Sequence, residues 1–78
     1  MMDLNTFVKQ MAEQFYDTDP ADITADTEFK ALEDWESLTA LTIIAMVDKE
    51  YGVTINGNDI RNAETIEDLF NRIKELKG

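Results

Sequence analysis

The stretch SLTALTIIAMVDKEY, residues 37–51, is the strongest helical pattern in the chain. Ala40, Ile43, Ile44, Val47 and Tyr51 recur at helical spacing and make one apolar face. Leu38, Leu41 and Ala45 make a second apolar strip beside it. A surface helix needs only one stripe. The extra strip leaves two readings open: a central helix packed on several sides, or a helix that offers apolar surface to a partner. Gly52 follows as a suitable C′ residue.

Upstream, residues 3–16 read as a helix, with Leu4, Phe7, Val8, Met11, Ala12 and Phe15 on one face. Asp3 suits its N-cap, and Pro20 cannot continue it. Residues 17–36 show no sustained period. Ile23, Phe29 and Leu32 are apolar anchors that pin this long loop to the core. Downstream, VTING at 53–57 is short and extended, and GNDIRN at 57–62 can make a short helical turn. Thr65 and Asp68 form a capping-box pair that opens a last helix over 66–76, with Ile66, Leu69, Phe70 and Ile73 facing inward. The expected fold is all-α: a small four-helix bundle of three main helices and one short one, with a long first loop, in a single domain over residues 1–78.

The chain has 78 residues, 17 acids, seven lysines and arginines, no histidine and no cysteine, for a net charge of −10. Without cysteine or histidine there is no disulfide framework and no Cys/His zinc site. The charge disfavours nucleic acid and anionic membranes and favours partners with basic patches. No apolar run reaches the length of a membrane span, and no signal peptide is visible at the start, so a cytoplasmic protein is expected. The acid is concentrated before the central helix. Asp17, Asp19, Asp22, Asp26, Glu28, Glu33, Asp34 and Glu36 precede Ser37, against Lys30 alone.

Ser37 stands between that acidic approach and the central helix. As a nucleophile it lacks a base, because there is no histidine and no G-x-S-x-G elbow. The calcium-loop reading of residues 17–28 fails at Ala21 and Asp22, where a ligand and a glycine are needed. No metal site is expected. Two readings of Ser37 remain. It is a plain N-cap, or it carries a phosphate-linked group that a helix start tolerates and another enzyme attaches.

These residues resemble the acyl carrier proteins. ESL at 36–38 looks like that family's Asp-Ser-Leu motif, VDKEYGVTI resembles the stretch that ends its second helix, and AETIEDLFNRI resembles its final helix. The resemblance spans the chain. It implies a phosphopantetheine arm, derived from coenzyme A, attached covalently to Ser37 by a phosphopantetheinyl transferase. It implies acyl groups held as thioesters on that arm and delivered to synthases, ketoreductases or transferases of fatty-acid or polyketide type. The protein would then be a carrier, not an enzyme, and a monomer. Carried over by position, Glu36, Leu38, Leu41, Ala45, Asp48 and Ile55 are partner-facing. Ile44, Val47, Ile60, Ala63 and Leu69 are either a lining for an acyl chain or ordinary core.

Departures from the family pattern are informative. Glu36 replaces the usual Asp, Trp35 precedes the motif, Thr39 and Thr42 stand where acids are common, and Lys49 is basic. They point to a dedicated carrier of a specialised pathway, including an aminoacyl or peptidyl carrier. The alternative outside the family is an acidic helical adaptor that is never modified.

Overall fold

The central segment forms α2, Ser37–Tyr51, closed by Gly52 in the left-handed conformation at φ 66°. The computed structural model describes residues 2–78. Around α2 stand α1 (Leu4–Ala12), the short α3 (Gly57–Asn62) and α4 (Ile66–Lys77). Residues 53–56 are extended but pair with no strand among the described residues.

The core is built from one face of each helix. Phe7 on α1, Ile43 and Val47 on α2, and Leu69 and Ile73 on α4 are fully buried. Phe7 is the hub. Its ring lies 5.5 Å from Phe70 of α4 and 5.8 Å from Tyr51 of α2, so one residue joins three helices. Tyr51 also donates its hydroxyl to Gln10, and α1 packs along α4.

The first helix is shorter than its apolar pattern. It ends at Ala12 rather than running to residue 16. The next amides, Gln14 and Phe15, bond three residues back to Met11 and Ala12, which tightens the last turn and turns the chain away. Phe15 keeps its helical phase and stays buried, but as part of the loop. Asp3 caps α1 by accepting from the Thr6 amide.

The loop carries two 3-10 turns, Pro20–Asp22 and Phe29–Ala31. Ile23 and Phe29 are buried, as anchors must be, and Leu32 is half-buried. Two of the loop's carbonyls serve a distant helix. Thr27 accepts the Ile66 amide at 3.2 Å and Ala25 accepts the Glu67 amide at 2.9 Å. These are first-turn amides of α4, which have no partner within their own helix.

The capping box of α4 forms between Thr65 and Asp68. A second one, between Asn56 and Asp59, opens α3. Asp59 also accepts from Arg72 of α4 at 2.8 Å, so one carboxylate starts α3 and ties it to α4.

Candidate functional site

Ser37 is the first residue inside α2 rather than its cap. Glu36 holds the N-cap position in an extended conformation, at φ −153° and ψ 174°, and its side chain makes no capping bond. The plain-cap reading of Ser37 therefore does not hold. α2 begins without the side-chain cap that Asp3, Asn56 and Thr65 give the other three helices. Its first-turn amides, at the positive end of the helix dipole, have no side-chain cap. Ser37 is exposed beside them.

The approach to Ser37 is fixed by Asp34 and Trp35. Asp34 is buried, and its carboxylate accepts the Asp17 amide at 3.0 Å and the Thr18 hydroxyl at 2.8 Å. Burial pushes this carboxyl upward, but the bonds from Asp17 and Thr18 outweigh it and hold it below its ordinary value. Its backbone carbonyl accepts the Thr39 hydroxyl at 3.4 Å. Two distant parts of the loop and the start of α2 thus meet at one residue. Trp35 packs between two rings, 5.6 Å from Phe29 and 6.4 Å from Phe15. The large aromatic before the serine braces the loop from both sides.

Ser37 opens on a cleft of about 270 Å³ between the second 3-10 turn, the start of α2 and α3. Trp35, Ala40 and Ile60 line it, with Lys30 and Arg61 as its charged groups. Lys30 donates to the Arg61 carbonyl at 2.7 Å, which joins the 3-10 turn to α3. No acid lines this cleft, although the chain holds 17.

The partner-facing positions read from sequence fall into two groups. Glu36, Leu38, Leu41, Ala45 and Asp48 are exposed. Leu38 and Leu41 are 61% and 62% exposed, large values for leucine, so the second apolar strip of α2 faces outward. Ile55 is different. It is 2% exposed and lies in the core, because the extended link between α2 and α3 alternates Val53 and Ile55 inward. It presents no side chain to a partner. Thr39 is also buried, so its lack of charge says nothing about a recognition surface. Ile44 is half-buried, whereas Val47, Ile60, Ala63 and Leu69 are packed in the core cluster. Asp34 and Arg61 were missed as site-building residues. Asp34 reads as one more acid of the approach, and its partners lie 16 and 17 residues away.

A family model described as phosphopantetheine attachment site matches residues 6–73. The chain belongs to that family. Comparison with curated proteins and with solved structures returns no match. Members of the phosphopantetheine attachment family carry the prosthetic group covalently, and a carrier domain works with a phosphopantetheinyl transferase and with biosynthetic enzymes. The residues of this attachment domain fit such a group. An exposed serine stands at an uncapped helix start, beside a cleft with two cations and no acid. No helix among the described residues is long and apolar enough to cross a membrane.

Proposed function

We propose that this chain is an acyl carrier protein whose arm is attached at Ser37. The supporting observation is the placing of that serine: exposed, first in α2, and beside amides that no side chain caps. In loading, the Ser37 oxygen forms a bond to the phosphorus that bears the pantetheine of coenzyme A. The pyrophosphate bond breaks, adenosine 3′,5′-bisphosphate leaves, and the transferase takes the hydroxyl proton. Once bound, the arm supplies a terminal thiol that holds acyl groups as thioesters for fatty-acid or polyketide-type enzymes. The fold itself positions Ser37 and leaves the chemistry to its partners, so the chain acts as a monomeric carrier without catalytic residues of its own.

Electrostatics supports recruitment of basic partners. Asp17, Asp19, Asp22, Asp26, Glu28, Glu33 and Glu36 are all exposed around the approach to Ser37. Complementary charge speeds encounter more than it tightens the complex. Close contact then falls to Glu36, Leu38, Leu41, Ala45 and Asp48.

A second reading, an aminoacyl or peptidyl carrier of a specialised pathway, draws on the outward strip of α2. That strip offers two leucines and an alanine with Asp48 at its far end, so its docking chemistry is mainly apolar. The two readings share the arm and differ in cargo.

The test is the intact mass of the protein before and after incubation with coenzyme A and a broad-specificity phosphopantetheinyl transferase. A gain of one phosphopantetheine mapped to Ser37 supports the carrier, and cargo trapped on the thiol then separates acyl from aminoacyl carriers. No gain by the folded protein, with a control carrier modified in parallel, overturns both and leaves an unmodified acidic adaptor.

A further inference from the structure

The cleft beside Ser37 carries the opposite charge to the rest of the molecule. Exposed acids surround the approach, and the net charge is −10, yet the groups that line the cleft are two cations and no acid. Neither Lys30 nor Arg61 has a carboxylate within ion-pair distance among the described residues. Lys30 spends one donor on the Arg61 carbonyl, and Arg61 gives one to Asn58 within α3 at 2.6 Å. An ammonium has three donors and a guanidinium five, so both keep donors for an anion. Burial of Ile60 and packing of Trp35 against Phe29 hold the apolar side of the cleft in place.

We propose that this cleft is a parking site for the arm, in which Lys30 and Arg61 hold its phosphodiester and the pantetheine lies against Trp35. The inference rests on the carrier reading and concerns this chain's own residues. The phosphodiester is tethered to a serine that itself lines the cleft, so both cations meet it at high effective concentration. A charge-assisted bond to phosphate is among the stronger polar contacts. The space of about 270 Å³ is at the small end for a ligand site, which suits a slender arm and leaves a long acyl chain outside. Lys30 and Arg61 are positioning residues in this scheme. They set the balance between a docked arm and an extended one that reaches a partner enzyme.

Trp35 is the chain's one tryptophan, so its fluorescence reports this cleft alone. The experiment compares acrylamide quenching of Trp35 in the unmodified and the phosphopantetheine-loaded protein. Loading is first verified by intact mass. In the loaded protein, quenching falls, because a pantetheine seated in the cleft shields the Trp35 ring that lines it from acrylamide. Arg61→Gln together with Lys30→Gln, compared at equal loading by intact mass, restores the quenching of the unmodified protein. Arg61→Gln alone, which removes no bond between helices, gives a partial return, and Arg61→Lys keeps the protection. Helical circular dichroism verifies the fold of each variant. A loaded protein quenched as readily as the unmodified one overturns the parking site while leaving the carrier intact. Protection that persists without both cations overturns their role. Failure to gain mass overturns the carrier reading and this inference with it.

Discussion

Ser37 and Asp34 divide the labour at the head of α2. Ser37 supports nothing in the fold. It caps no helix and its surroundings are open, so Ser37→Ala is expected to change stability by no more than about 0.5 kcal/mol. The same substitution should abolish phosphopantetheine loading outright. Intact mass and urea denaturation of one sample check both halves of this expectation, and loading that persists places the attachment elsewhere. Asp34 is the reverse. Its carboxylate holds the Asp17 amide and the Thr18 hydroxyl, and both bonds are to chain far away in sequence. Nothing in a run of eight acids marks which one turns inward, since the distinction lies in partners that only the fold brings near. The place of Ser37 at the head of α2 was legible because it is local: an acidic approach, a serine and a helix follow one another directly.

At the scale of elements, α3 is the weakest part and the one that completes the cleft. Six residues do not make a stable helix on their own. The capping box of Asn56 and Asp59 and the bond to Arg72 replace what length does not supply. Asn56→Ala is expected to cost about 1 kcal/mol and to speed amide exchange in α3 ahead of the other helices. Uniform exchange across the four helices would contradict that ranking. The bounds of α2 were read most completely, because fifteen residues rich in apolar side chains run from Ser37 to Tyr51 without a glycine or proline until Gly52. Its two apolar strips could not be ranked from spacing. The neighbouring helices cover one and leave the other, with Leu38 and Leu41 outside. Leu41→Asp should therefore leave the fold intact and raise a partner enzyme's KM for the loaded carrier about tenfold, the size of about 1.4 kcal/mol at an interface. An unchanged KM in steady-state assays would remove Leu41 from the docking surface. The end of α1 was overread for the opposite reason. Phe15 keeps the period after the helix has stopped, so burial and helix diverge there.

Across the whole molecule, two opposing electrostatic effects set stability. A net charge of −10 in one small fold repels itself, and added salt screens that repulsion. The melting temperature is expected to rise from low to high sodium chloride, and a flat profile would count against it. Acid acts in both directions. Asp59, held low first by Arg72, and Asp34, held low by its bonds against burial, have folded values below the unfolded ones. Such groups stabilise fully above the ordinary carboxyl value of about 4 and lose that contribution as pH falls through their lowered values. Between pH 7 and about 5 neither changes its charge, so the melting temperature should hold or rise slightly and then drop steeply below about 4. Circular dichroism melts across that range measure the turning point. The overall bundle was readable from three periodic segments and the acid profile. The way the loop closes it was not, because backbone bonds leave no side-chain signature.

Those backbone bonds bear on how the protein meets a protease. Residues 13–36 form the longest stretch without an α-helix among the described residues, rich in exposed polar side chains, and ordinarily the place where a digest begins. Here Ala25 and Thr27 are fastened to the first turn of α4, so the strand a protease must draw into its groove is engaged elsewhere. Cleavage at this loop must wait for the last helix to let go. The rate of nicking between residues 24 and 28 should then track the opening of α4, and a digest becomes a clock for the far end of the chain.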